Sequence, residues 1–279
     1  MALLPQWSAI PAPVVGMLHL PPLPGSPRYS GSVDAITTTV LRDADALAAG
    51  GVHGLMLENF GDVPFFPGRV PAHVVAHMTA LAVAVRRRFD LPLGINVLRN
   101  DGRSALAVAH AAGAKFVRVN VLCGARVADQ GVLAAIAHNL LRDRAMLGAA
   151  GGTGVKILAD VDVKHSAPLA RRDLAEEVAD TLHRGLADGL VVSGAGTGKA
   201  TAPEHVRAVK AAGGAAPVFV GSGVTPESLP AYVGHADGFI VGTAFKHDGD
   251  PERPVDPARV RAFMAAVGRA GGSLLPSTP

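Results

Sequence analysis

The sequence of 279 residues predicts an α/β fold, a single-domain (β/α)8 TIM barrel, on three observations. Eight short apolar runs rich in β-branched residues alternate with stretches of helical length and periodicity. Several of the helical stretches run into a glycine suited to a left-handed C-cap, at Gly50, Gly113, Gly148, Gly185 and Gly213. In five of the runs the polar residues near the end share parity and so face one side of the sheet. Strand–helix repetition argues for parallel strands with right-handed crossovers, and eight units favour closure over an open doubly wound sheet. No linker or shift in composition divides the chain. We read residues 1–12 as an N-terminal extension, 13–267 as the barrel and 268–279 as a C-terminal tail.

The expected strands are Val14–Leu20, Gly54–Asn59, Leu93–Leu98, Phe116–Val121, Val155–Val163, Leu190–Ser193, Val218–Gly221 and Phe239–Gly242. Each is short, β-branched and bounded by turn residues. The clearest helices are expected over Val33–Ala49, Ala72–Arg88, Ala105–Ala111, Val132–Leu147, Leu174–Arg184 and Pro203–Ala211. Apolar residues recur there at three- and four-residue spacing.

Composition narrows the function classes. An apolar content of 49% supports a sizeable core, and 18% charged is low for a disordered or filamentous chain. The net charge is only +3, and no basic cluster with interleaved aromatics argues for nucleic acid. Arg86-Arg87-Arg88 reads as the wet end of a helix. One cysteine, Cys123, excludes an intramolecular disulfide framework and fits a reducing compartment. No apolar run is long enough to be a transmembrane segment, and residues 1–12 lack the pattern of a secretory signal. A cytoplasmic location is the expectation.

Barrels of this kind place chemistry at the C-terminal ends of the strands. That rule selects His19 and the stiff loop Leu20–Tyr29, then Glu58, Asn96, Arg99, Asn100, Asp101, Arg118 and Asn120. The organising stretch is Lys156–His165, in which Asp160 and Asp162 share parity and are followed by Lys164 and His165. Parity agrees across the set: Met17 with His19, Met56 with Glu58, Gly94 with Asn96, Arg118 with Asn120, Asp160 with Asp162. Charges turned into a barrel must be paired or meet a ligand.

Glu58 and Asp160 are the expected catalytic acid/base residues, because neighbouring carboxylates in a low-dielectric site push their pKa values apart. Lys156 and Arg118 would keep one of them ionised. His19 and Lys164 are alternative catalytic groups, Lys164 also as a Schiff-base nucleophile if burial depresses its pKa. Asn96, Arg118, Asn120, Asp162 and Ser193 would orient the substrate. The competing reading is a buried ion network that only holds the barrel together. A divalent metal on His19, Glu58, Asp160 and His165 is not favoured, since no ligand-spacing motif is present, and no cofactor is predicted.

A phosphate site is expected after strands seven and eight, from Gly221, Ser222 and Gly223 with Gly242 and Thr243. Thr225-Pro226 would open a helix there whose N–H groups face the anion. Gly194, Gly196 and Thr197 would add donors from the adjacent loop. Alternatively these glycines serve only tight turns and close packing. Phe60, Phe65 and Phe66 offer an apolar or base-stacking surface, or a contact for a neighbouring subunit; a homo-oligomer, dimer or higher, is expected.

The chain resembles the BtpA/SgcQ family. The resemblance is carried by Gly16–Tyr29, Glu58-Asn-Phe-Gly-Asp62, Leu93–Asp101, Arg118-Val-Asn-Val121, Ile157–His165, Ser193–Gly198, Val220–Glu227 and Ala236–Thr243. It covers roughly residues 13–267. It implies a barrel related to phosphate-binding (β/α)8 enzymes. The family name derives from stabilisation of photosystem I in cyanobacteria, and another member lies among sugar-utilisation genes. Neither association carries catalytic residues over. The expected function is therefore an enzyme acting on a phosphorylated sugar or nucleotide-like metabolite by acid/base chemistry. Glycosidic-bond cleavage or transfer is preferred to aldol-type cleavage or isomerisation, because paired carboxylates stabilise an oxocarbenium-like state. The alternatives are a non-catalytic assembly or stability factor for a membrane complex and a metabolite sensor.

Overall fold

A computed structural model describes residues 2–271 apart from Thr153, Ala195 and Thr197. In chain order the strands are β1 (Val14–His19), β2 (Gly54–Glu58), β3 (Leu93–Asn96), β4 (Phe116–Val119), β5 (Ala125–Ala128) and β6 (Gly131–Ala134). They continue as β7 (Lys156–Val161), β8 (Ser166–Pro168), β9 (Gly189–Ser193), β10 (Val218–Gly221) and β11 (Gly238–Val241). Eight of them close in the order β1-β11-β10-β9-β7-β4-β3-β2, every adjacent pair parallel. The protein is a (β/α)8 barrel.

The helices are α1 (Val33–Ala49), α2 (Ala72–Arg88), α3 (Gly102–Ala112), α4 (Ala137–Met146), α5 (Leu174–Ala179), α6 (Pro203–Gly213) and α7 (Pro257–Gly271). Helix α1 begins at Ser32, whose hydroxyl accepts from Ala35 N–H at 3.1 Å. Asp101 does the same for α3 through Ser104 N–H, at 3.0 Å. Each bond satisfies a donor that the first helical turn leaves free. Gly113 and Gly148 take the left-handed cap conformation, with φ of 71° and 64°. Gly50 and Gly185 instead stay right-handed, and Gly213 is still helical; Gly51, Leu186 and Gly214 make the positive-φ turn one residue later.

Two apolar layers hold the barrel. Outside the sheet, the helices pack on the outward parity of the strands, for example Ile157, Ala159 and Val161 of β7. Inside, Met17, Met56, Phe116, Leu158, Val191, Phe219 and Ile240 pack with Leu3, Leu4 and Trp7 from the N-terminal segment. Trp7 plugs the end of the barrel away from the strand C-termini. It packs edge-on to Phe116 at 5.7 Å, and its indole N–H donates to His53 O at 2.8 Å. Glycines on the same parity make room for the large rings: a Cβ on Gly94 would lie 2.3 Å from Phe116. Helix α7 runs past residue 267, so the C-terminal part of the chain is helical through Gly271.

The structure corrects three further points. Val132–Leu147 is not one helix: β5 and β6 form an antiparallel hairpin turning at Asp129-Gln130, and α4 begins only at Ala137. Gly131, at φ 97°, allows that turn, and alternating Val127 and Val132 suit a pleated ribbon better than a helix. The hairpin recruits β8 as a third strand and lies over the barrel mouth. Second, β3, β4 and β7 end at Asn96, Val119 and Val161 rather than at Leu98, Val121 and Val163. Third, Thr225-Pro226 opens no helix; Thr225 and Ser228 bond each other's backbone in a turn, followed by a single helical turn at Leu229–Tyr232.

Candidate active site

Strand register assembles the site. His19 of β1 lies opposite Glu58 of β2, Glu58 opposite Asn96 of β3, and Asn96 opposite Arg118 of β4. These four side chains form one polar rung above the apolar interior, at the strand C-terminal ends. Asp160 is supplied by β7, and Ser193 by β9. All are buried except His19, which is nearly so.

Asp160 anchors the rung. Its carboxylate accepts from Arg118 twice, at 3.0 and 2.7 Å, from Asn120 Nδ2 at 2.6 Å, and from the Ser193 hydroxyl at 3.4 Å. Arg118 also donates to Ser193 Oγ at 3.1 Å. A planar guanidinium opposite a carboxylate makes a bidentate pair, and here the pair is fully desolvated. With its oxygens taken, Asp160 orients Arg118 and Asn120.

Glu58 is different. One carboxylate oxygen accepts from Asn96 Nδ2, and the other faces His19 Nε2 at 3.8 Å. Glu58 also lines open space. Burial lowers the His19 pKa from 6.5 to about 4, against the opposing pull of Glu58; Lys246 and Lys164 push it further down. The ring is therefore neutral near neutral pH. It stacks on Phe60 at 4.3 Å, and Nδ1 lies 3.5 Å from Pro251 O. Burial also lowers the Lys164 pKa, Glu58 and Asp160 partly opposing and Arg118 and Arg99 adding to the shift. A half-buried, loosely held ammonium is suited to meeting an anionic or carbonyl oxygen.

Besides a cavity of about 350 Å³ lined by His19, Phe60 and Lys246, two compartments flank this rung. The larger, about 500 Å³, is lined by Glu58, Asn96, Arg118, Asn120 and Lys164 together with Phe60, Val63, Phe65, Leu98, Arg99, Asp129, Gln130 and His165. The other, about 420 Å³, is bounded by Gly198, Gly223, Val224, Thr225, Thr243, Ala244, Glu227 and Arg259. A narrow neck of about 30 Å³ lies between them, sharing Glu58, Arg118 and Lys164 with the first and Gly198, Gly223, Thr243 and Ala244 with the second.

The structure thus brings Glu58, His19, Lys164, Asn96, Arg118, Asn120, Asp160 and Ser193 together. Asp162 is not with them. It takes φ 54° just past β7, is half exposed, and turns its carboxylate to Arg126. The strict alternation that paired it with Asp160 stops where the strand stops. Lys156 sits at the opposite end of β7 and reaches Asp188 at 3.4 Å and Gly151 O at 3.3 Å. Asn100 bonds Val121, and Asp101 caps α3 while accepting from Val70 N–H at 2.8 Å, so both shape loops. Phe66 is exposed, whereas Phe60 and Phe65 line the larger compartment.

At the glycine-rich end the picture is mixed. Ser222, Gly223, Gly242 and Thr243 border the neck. Gly221 faces the barrel interior beside Val191 and Ser193. Gly194 and Gly223 permit close backbone packing, since a Cβ on either would lie 2.2 or 2.1 Å from Lys199 O. Ser222 ties two loops together, donating to Gly196 O at 3.0 Å and accepting from Gly198 N–H at 3.1 Å. Thr197 lies outside the described residues. Among the described residues no group of three or more His, Cys, Asp or Glu is arranged to hold a metal ion. No helix among them is long and apolar enough to cross a membrane.

Sequence reasoning missed Arg259, which α7 brings to the second compartment, its Nε donating to Ala244 O at 2.9 Å. It also missed the Asp129-Gln130 turn over the first. Neither lies at the end of a barrel strand, so the rule that found the rest was blind to them.

Solved structures with this fold include dihydropteroate synthase from Vibrio fischeri, at TM-score 0.60 and 14% identity over 100% of this chain and 96% of that one. Phosphoribosyl anthranilate isomerase from Thermus thermophilus matches at TM-score 0.55 and 12% identity, covering 92% and 98%. At such identities the likeness is one of fold. Sequence relatives are much closer. Photosystem I biogenesis protein BtpA of Synechocystis is 44% identical over 255 residues, 91% of this chain and 88% of that protein. An uncharacterized protein of Thermococcus kodakarensis is 45% identical over 252 residues, 90% and 94% of the two chains. The sequence profile of the BtpA family matches residues 11–269, and the chain belongs to the BtpA family.

Proposed function

We propose that the protein is an enzyme that moves protons on a phosphorylated sugar or nucleotide-like metabolite. The observation that carries this reading is the rung itself: one carboxylate, Glu58, lines both the larger compartment and the neck beside two cations, half-buried Lys164 and buried Arg118. Glu58 is the acid/base group, with neutral His19 as its neighbour. Lys164 and Arg118 stabilise negative charge that develops on a substrate oxygen, an electrostatic role strengthened by exclusion of water. Asn96 and Asn120 orient hydroxyls, and Asp160 positions Arg118 and Asn120. The phosphate lies in the compartment of Gly223, Thr243, Ala244 and Arg259, where barrels of this class commonly hold one.

This arrangement changes the preferred chemistry. Glycosidases of the two-carboxylate kind need both carboxyl groups available. Because Asp160 is saturated by Arg118, Asn120 and Ser193, one free base beside a cation fits isomerisation or aldol-type cleavage better. Phosphorylated sugars added in D2O should stabilise the protein thermally and incorporate deuterium at a carbon next to a carbonyl, as read by NMR. Glu58→Gln should keep the stabilisation and lose the exchange. A protein that is stabilised by no sugar phosphate and exchanges none would end this reading.

The relative named for photosystem I biogenesis supports a second reading, an assembly factor that keeps the barrel without turnover. Assembly activity that survives Glu58→Gln undiminished would favour it.

A further inference from the structure

Building on the phosphosugar reading above, we propose that the larger compartment receives a planar ring carrying an acidic group. The substrate is then a phosphosugar conjugate, anionic at both ends. The compartment of about 500 Å³ exceeds what a sugar ring alone requires. On the order of 150 Å³ accommodates a benzene ring. Its walls include Phe60, Val63, Phe65 and Leu98, which hydroxyls alone would leave poorly matched. Phe60 is held in place by its stack on His19 and presents a fixed apolar surface.

Three side chains lining that compartment carry a buried polar atom with no partner among the described residues: Arg99 Nε, Asn120 Oδ1 and Gln130 Oε1. Arg99 is only 3% exposed; its Nη2 donates to Lys164 O, but Nε has no acceptor, and no carboxylate pairs with it among the described residues. Burying a guanidinium without an anion is costly, and a bound oxyanion removes that cost. Asn120 is 2% exposed, and its Nδ2 is committed to Asp160. The amide oxygen therefore faces away from Asp160, buried and unpartnered, as an acceptor for a hydroxyl or N–H. One donor at Arg99, one acceptor at Asn120 and apolar walls together describe a flat acid joined to a hydroxylated sugar. Asp129 also lines the compartment, but it sits exposed at the hairpin turn and accepts from Gln130.

The test uses the full chain with two probes, 4-fluorobenzoate followed by fluorine NMR and ribose 5-phosphate followed by calorimetry. The two should bind together without displacing each other. Arg99→Gln should weaken 4-fluorobenzoate about tenfold or more while changing ribose 5-phosphate affinity less than about twofold. Phe65→Ala keeps the guanidinium and should also weaken the fluorinated probe, so a folding defect at Arg99 does not decide the matter. Displacement of one probe by the other, unchanged affinity in both variants, or no binding of 4-fluorobenzoate to a protein that binds ribose 5-phosphate would overturn the proposal. Binding of 4-fluorobenzoate that depends on Arg99, with none of ribose 5-phosphate, would uphold this compartment and remove the phosphosugar reading.

Discussion

Acidification should destabilise this protein through His19, and the size of the effect follows from its burial. An unfolded chain protonates this imidazole near its ordinary pKa of 6.5, whereas the folded protein resists until about 4. Between those values the unfolded state binds more protons, so stability is fully present above pH 6.5 and falls as pH drops toward 4. The complete difference corresponds to about 3 kcal/mol, of which about 2 kcal/mol is already lost near pH 5. For a chain of this size that is a fall in Tm of roughly 4–8 °C. His53 and His165 are also lowered by burial, so the wild-type profile alone mixes several groups. Urea unfolding of the wild type and His19→Gln at about neutral pH and near pH 5 isolates the His19 part. The wild type should lose about 2 kcal/mol more than the variant. If both lose stability in parallel, or if the His19 ring titrates in its ordinary range by NMR, the burial argument is refuted.

Three further outcomes are expected. Asp160→Leu and Arg118→Met should each cost about 3–5 kcal/mol in urea unfolding, because each leaves a buried charge unpaired; the double variant should cost much less than their sum, and additivity would show the pair is not coupled. Gly223→Ala should destabilise by about 1–3 kcal/mol, since φ is +68° and the new Cβ would meet Lys199 backbone, while Gly68→Ala, with open space around it, should change little. Equal effects at both would contradict this. Trp7→Ala should cost about 3–5 kcal/mol by emptying the lower end of the barrel; a thermal midpoint close to wild type would mean that the N-terminal segment is not a plug.

Much of the fold was legible because its signals are local. Helices α1 and α2 begin and end at the predicted residues, since apolar spacing and the helix ends are written within one segment. Parity identified His19, Glu58, Asn96 and Arg118 as inward-facing, and closure of the sheet then aligned them. The hairpin of β5 and β6 escaped because its pairing with β8 comes from residues distant in the chain. Without that partner its apolar residues also fit the start of a helix.

From the chain alone came the alternation of eight strands with helices, the single domain and the set of polar residues at the strand ends. Those depend on side-chain periodicity, which neighbouring residues impose on each other. Only the tertiary structure decided which carboxylate is free. Asp160 and Asp162 share parity in sequence, yet one is locked by Arg118 and the other turns out toward Arg126, because strand pairing stops at Val161. Protonation and reactivity depend on burial and partners, and those are set by residues that meet across the barrel.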